Sequence, residues 1–402
     1  MKGFFLRLYP QTPQEGKSKA LVTMIVRVIY NVGLKSYMTH HKVHWAANVC
    51  TFCFIITCLL QVVALFMAKD DPERLFECFS VLSFCGMGVL KLISLRKSNQ
   101  GWRKLLTQIS VLENSQKNKS STSYQSDNEE PNNFPDFISN YTKKFQNTST
   151  ILTRMYGFTA FIFIISPFVE YILRKIRGME CLAYPHILPG WAPLDDLSFV
   201  GYMVTVVGEF LAAVYCVCVH IAFDLTAVGI MIFVCGQYSL LRDYSSRIGG
   251  KGDHCNLSKK RDLRAHYRIV RCHQTNILLV NTINDLDMLL KNIIGVYFFV
   301  ATLTLCSVAV RLKYEEMSIM QLVSLIQYMC ATLTQLFIFC TYGDAVLNES
   351  SMGMGQGPFA AASWCLSPRI RRDLVILGSG MMKPRHLRAG PFNFLDLPSF
   401  IQ

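Results

Sequence analysis

The chain has 402 residues, of which 51% are apolar and only 17% charged. A soluble domain carries roughly 25% charged residues, and here the deficit is concentrated in long apolar blocks. That excludes an ordinary soluble protein and predicts an all-α, polytopic membrane protein. The net charge of +13 would suit a nucleic-acid partner only if it formed one basic surface. Its distribution along the chain instead makes it a topology signal facing anionic membrane lipid.

The first segment, 1–42, has neither the long apolar core nor the small-residue cleavage site of a signal peptide. At its end His40, His41 and His44 read H-H-x-x-H. A zincin-type site would need a Glu beside the first His, so this stretch reads as the entry to the first span, with Trp45 as an interfacial anchor. Six blocks reach the ~20 residues a transmembrane helix requires: 43–68, 75–95, 151–173, 197–219, 290–310 and 317–341. The fourth stays apolar to about 240, past His220 and Asp224, which predicts a helix that leaves the bilayer and keeps packing against protein. Most of the fifteen cysteines lie inside these blocks, where a thiol behaves as a small hydrophobe. Cys50-x-x-Cys53 has redox spacing but no thioredoxin-like context, and reads as packing. Between the second and third spans, 114–133 is rich in Ser and Asn and is expected to be disordered.

Lys and Arg counts in the connections set the orientation. The segments 1–42, 91–147, 242–275 and 349–390 hold 31 of them, against 7 in the opposite loops. The basic side should be cytoplasmic, with the N-terminus inside. A G-protein-coupled receptor, whose N-terminus is outside, is the alternative from another class that this asymmetry opposes. Glu209 falls near the middle of the fourth span. It reads either as a functional intramembrane carboxylate or as a group satisfied by a partner such as Tyr215 or Gln327. Gly353-x-Gly355-x-Gly357 neither follows a strand nor precedes Lys-Ser/Thr, so phosphate binding is not expected. No paired carboxylates, Ser/His/Asp arrangement, metal set or cofactor motif presents itself, and an enzyme is not expected.

The sixth span ends in FCTYGDAVLNES. After it come, in order, Tyr342, Gly343, Leu347, Ser350 or Ser351, Trp364, Arg371, Arg372, Leu374, Pro384, Leu387, Ala389-Gly390, Phe392 and Leu397. This ordered set resembles the C-terminal signature of insect odorant receptors, and the span count and inverted topology extend the likeness to the whole chain. The family's tyrosine one turn before the tryptophan is replaced here by Ala360, with Phe359 beside it. Gustatory receptors of the same superfamily are the nearer alternative.

The resemblance implies a fold of seven transmembrane helices with an intracellular N-terminus. It implies an odorant receptor subunit of a ligand-gated non-selective cation channel. Such a subunit forms a heterotetramer with the family's shared co-receptor, in the dendritic membrane of olfactory sensory neurons. It places a pocket for small volatile ligands in the outer halves of helices two, three, four and six, which here offer Phe76, Phe79, Phe163, Phe168, Tyr202, Met203, Phe210, Met320 and Tyr328. It makes 342–388 a cytoplasmic subunit anchor, with Tyr342, Gly343, Trp364, Arg371 and Arg372 as its marks. The segment 389–402 then begins a pore-lining seventh helix at Phe392, Phe394 and Leu397. With 14 residues against the ~20 a span needs, that helix reads as truncated.

Overall fold

The computed structural model describes residues 21–32, 45–122, 134–178, 184–193, 198–250, 257–314, 319–391 and 393–401. The His40, His41 and His44 motif lies outside them. The elements in order are α1 (Leu21–Asn31), α2 (Trp45–Met67), α3 (Pro72–Lys97), α4 (Asn99–Thr122), α5 (Phe134–Ile176), α6 (Phe199–Ser246), α7 (Lys259–Tyr314) and α8 (Ile319–Ser350). A compact C-terminal segment follows: α9 (Met352–Ala360), a 3-10 turn (Ser363–Cys365), α10 (Pro368–Met381), a two-stranded hairpin β1 (Arg388–Ala389) and β2 (Asn393–Phe394), and α11 (Leu397–Ile401). Six stretches, built on α2, α3, α5, α6, α7 and α8, are long and apolar enough to cross a membrane.

Several helices run well beyond a bilayer. The 43 residues of α5 and 56 of α7 span about 65 and 84 Å at 1.5 Å per residue, against a ~30 Å hydrocarbon core. Much of the basic connecting sequence is therefore helical extension rather than loop. Helix α4 continues to Thr122, which corrects the expectation of disorder for the first part of 114–133. Lys91, counted above with a basic connection, is instead inside α3 and fully buried.

Helix α6 is the axis of the bundle. It is apolar on all faces, and a helix of that kind must be enclosed. Every residue from Tyr215 to Cys235 is buried, sheathed by α1, α2, α3, α5, α7 and α8. Toward its C-terminal end two sets of buried polar groups bond one another. Glu113 accepts from the Leu21 backbone N–H and the Tyr141 hydroxyl, both at 3.1 Å. Gln116 and Gln237 exchange amide bonds at 2.7 and 3.0 Å.

The C-terminal segment packs against this end of α6. A Cβ on Gly357 would strike the Ser245 hydroxyl and the Arg242 backbone, and one on Gly355 the Met382 side chain, so these two glycines serve close approach. A Cβ on Gly343 would likewise meet the Leu395 carbonyl. The hairpin is clamped to α7. Asp287 accepts from the Arg388 backbone N–H at 2.8 Å and from its guanidinium at 2.9 and 2.5 Å. That carboxylate holds the Arg388 guanidinium above its ordinary pKa. Gly390 turns the chain at φ +80° and bonds the Lys291 carbonyl at 2.7 Å. A helix starting at Phe392 is therefore not what forms: Phe394 sits in β2, Phe392 lies outside the described residues, and helix begins at Leu397. The physical reason is the hairpin itself: Asn393 and Phe394 pair with Ala389 and Arg388, and the Leu395 N–H bonds the Leu387 carbonyl at 2.8 Å, which keeps this backbone extended, while Asp287 fixes the first strand to α7.

Candidate ligand-binding cavity

A cavity of about 310 Å³ opens among α3, α5, α6 and α8 at the end of the bundle opposite the C-terminal segment. Small-molecule sites begin near this volume. Its walls are mainly apolar, with Phe84, Phe163 and Tyr328 in edge contact at ring separations of 6.4 and 5.9 Å, and they also carry Glu77, Glu170, Gln321 and, from α7, Arg311. The thiols of Cys85 and Cys216 face it as well. The sequence makes this space by placing small residues, Ala160 and Ala213, on neighbouring helices where bulky ones would fill it.

The residues His186 to Pro189 close the cavity from the loop between α5 and α6. Glu209 holds them. One of its oxygens accepts from the Ile187 and Leu188 N–H groups at 2.9 and 3.4 Å, and the other lies 3.1 Å from His186 Nδ1. Tyr202 adds a bond from its hydroxyl to the Pro185 carbonyl at 2.9 Å, and the Trp191 N–H reaches the Leu60 carbonyl at 3.3 Å. A buried carboxylate is tolerated only with such donors. The partners of Glu209 are thus backbone groups of the loop, not Tyr215 or Gln327. Those two bond elsewhere: Tyr215 with Thr51 and the Val32 carbonyl, Gln327 with Thr159.

Beneath the cavity lies a buried charged network. Lys91 on α3 meets Asp224 on α6 at 2.6 Å and His220 Nδ1 at 3.0 Å. An ammonium has only donors, so Nδ1 accepts and His220 Nε2–H is left for the Phe84 carbonyl, 3.2 Å away. The second oxygen of Asp224 accepts from Tyr156 on α5 at 2.5 Å and Gln335 on α8 at 3.0 Å. His220 stacks on Phe84, rings 4.4 Å apart. Four helices are joined at one carboxylate, and Tyr156 and Phe84 belong both to the cavity wall and to this network. A smaller space of about 30 Å³, bounded by Tyr297, Thr304 and Thr332, adjoins it.

Of the nine residues offered for the pocket, the structure brings Phe163 and Tyr328 to the cavity wall. Tyr202 acts on the loop that closes it. Met203 is exposed, while Phe76, Phe79, Phe168, Phe210 and Met320 are partly buried away from the lining. Helix rotation decided this, and hydropathy carries no rotational signal when lipid and protein are equally apolar. Phe84, Tyr156, Cys216 and the Ser166–Ser324 pair were missed. The one available cue was polarity, since Asp224 and His220 in an apolar run mark the face of α6 that must meet protein.

Among the anchor marks, Gly343 is buried, and the half-buried Tyr342 hydroxyl pairs with Thr148 at 2.6 Å. Arg371 Nε donates to the Leu366 carbonyl at 2.8 Å. Arg372 is exposed, and Trp364 is 58% exposed.

Fold and cavity together define a polytopic helical membrane protein that encloses a small-molecule-sized pocket. A model of the 7tm odorant receptor family matches residues 71–402, and the chain belongs to that family, one of receptors rather than enzymes. Odorant receptor 13a of Drosophila melanogaster is 24% identical over 337 residues, covering 78% of this chain and 74% of its own length. Odorant receptor 9a of the same species is 22% identical over 244 residues, covering 60% and 59%. The fold matches the insect olfactory receptor OR5 from Machilis hrabei. Its complex with eugenol gives a TM-score of 0.73 at 12% identity over 94% of this chain and 93% of that one. The same receptor solved without mention of a ligand gives 0.67 at 13% identity over the same shares.

Proposed function

We propose that this chain is the odorant-tuning subunit of a ligand-gated, non-selective cation channel, with the 310 Å³ cavity as its ligand site. The observation that carries the reading is a partly enclosed, aromatic-lined space in a receptor-family bundle, bordered by a loop that Glu209 holds in place. The match to a receptor solved with eugenol supports a small-molecule occupant. The chain assembles with the family's shared co-receptor as a heterotetramer, through the segment 342–388 on the cytoplasmic side, and α11 begins the pore-lining element. Ligand binds the open state better and shifts the population toward it.

The test is whole-cell current in cells expressing this chain, the co-receptor or both, challenged with a panel of volatiles. Odorant-evoked current should require both chains, with an N-terminal tag stained only after permeabilisation. A ligand-specific current that is the same with the co-receptor alone, or surface staining of that tag, overturns the reading.

A further inference from the structure

We propose that the Ser166–Ser324 hydroxyl pair selects for a ligand that carries a hydroxyl group. The proposal rests on the cavity being the ligand site. Most hydroxyl protons around the wall already have protein acceptors. Ser80 gives its proton to the Phe76 carbonyl at 2.9 Å, Thr159 to Met155 at 2.9 Å, Tyr156 to Asp224 at 2.5 Å and Tyr328 to the Ser80 carbonyl at 3.4 Å. Each of these hydroxyls is spoken for.

Ser166 and Ser324 differ. Their oxygens are 3.1 Å apart, across α5 and α8, and both residues line the cavity. Ser324 also lies 2.9 Å from the Met320 carbonyl. A serine hydroxyl has one proton, so the pair has two protons and one further protein acceptor. When Ser324 bonds Met320, the Ser166 proton can close the pair or turn to a guest. Ser166 is 8% exposed, so a guest oxygen here would be bonded away from water.

A second feature at the same level of α5 supplies an acceptor. Pro167, inside the helix, has no N–H to give the carbonyl of Phe163 four residues back, and both residues line the cavity. Among the hydroxyls of the wall the serine pair is thus the free donor, and this backbone acceptor lies within a turn of it. An alcohol or phenol satisfies both, accepting from the serine pair and donating to the Phe163 carbonyl. A hydrocarbon of the same shape adds no bond to either: the serine pair closes on itself and the Phe163 carbonyl gains no donor, so the alcohol is favoured by the net hydrogen bonds it adds.

The experiment measures binding to the full chain in lipid nanodiscs, by thermal stabilisation over a concentration series. Two isosteric pairs serve as probes: 1-phenylethanol against cumene, and 2-heptanol against 2-methylheptane. In each pair a methyl replaces the hydroxyl. The alcohol of at least one pair should bind roughly tenfold tighter than its hydrocarbon, the size of one to two net hydrogen bonds. In the Ser166→Ala/Ser324→Ala variant that preference should fall to about threefold or less. If the hydrocarbons bind as tightly as the alcohols in the unmodified chain, the selection is wrong while the cavity stands; that comparison needs no variant. A preference unchanged in the double variant also overturns the role of the serines. If no probe binds at all, the cavity itself is not the ligand site and the inference falls with it.

Discussion

From Phe199 to Ala213 helix α6 leaves Val200, Met203, Val204 and Val207 exposed and reaches the cavity at Ala213, whereas from Tyr215 to Cys235 nothing on it is exposed, Cys216 and Val217 facing the cavity at the start of that stretch. Both stretches are mostly apolar, with four Val and two Ala each, although only the second carries cysteines. What separates them is the placement of polar and small residues. Below the cavity, Asp224 collects bonds from three helices, and a Cβ on Gly229 or Gly236 would strike Ile25, Phe145 or Tyr141. Above it, the one carboxylate of α6, Glu209, is spent on the backbone of Ile187 and Leu188 in the loop before the helix. Close packing below and empty space above let one helix act as a rigid axis at one end and a ligand wall at the other.

The difference breaks most severely at the ion pair. Asp224→Ala strands the Lys91 ammonium among apolar groups, which costs about 3–5 kcal/mol. We expect loss of monodisperse protein on detergent extraction. Replacing both partners, as Lys91→Met with Asp224→Leu, should recover most of the folded yield, because removing a buried pair together is far cheaper than splitting it. Equal loss in the single and double variants would contradict the network as drawn.

Next in size is Gly343→Val at the packed end. Its side chain would have to displace the Leu395 backbone, overpacking that costs about 1–3 kcal/mol. The hairpin should then become protease-sensitive while ligand binding in the cavity is retained. Tyr156→Phe is gentler. It removes one bond to Asp224 at the boundary between the halves, about 1 kcal/mol, and should lower the melting temperature slightly with no loss of cavity volume. The smallest effect is expected for Trp364→Ala. With that indole 58% exposed, the isolated chain should change by no more than about 0.5 kcal/mol. A large stability loss in the chain alone would mean that the ring is internally packed. An effect confined to co-purification with the co-receptor would mark it as a contact between chains.

The same contrast explains what could be read from the sequence. The number of spans follows from block lengths, and the C-terminal signature around Tyr342, Gly343 and Trp364 led to the family. The helix extensions of α5 and α7 were hidden because polar helix surfaces such as Phe134–Thr150 look like loops when only apolar length is counted. A cavity does lie among the helices that the resemblance implied, but with a different wall: Cys216 rather than Met203, or Phe84 rather than Phe79, is a matter of helix rotation, which equal apolarity on both sides does not encode. Lys91 was misplaced because a lysine at the end of an apolar block looks like a membrane boundary. Only its partner Asp224, more than a hundred residues away, reveals it as core.

The central claim is that the space between α3, α5, α6 and α8 receives the ligand, and filling that space tests it most directly. Ala213→Trp places an indole into the cavity beside Cys216 and Val217 without touching the Lys91–Asp224 network. With the co-receptor present and surface delivery matched, the variant should lose ligand-evoked current or need at least about a hundredfold more ligand, the scale of abolishing a well-filled apolar contact of 2–3 kcal/mol. Full current at undiminished sensitivity would contradict the account and place the ligand elsewhere in the molecule.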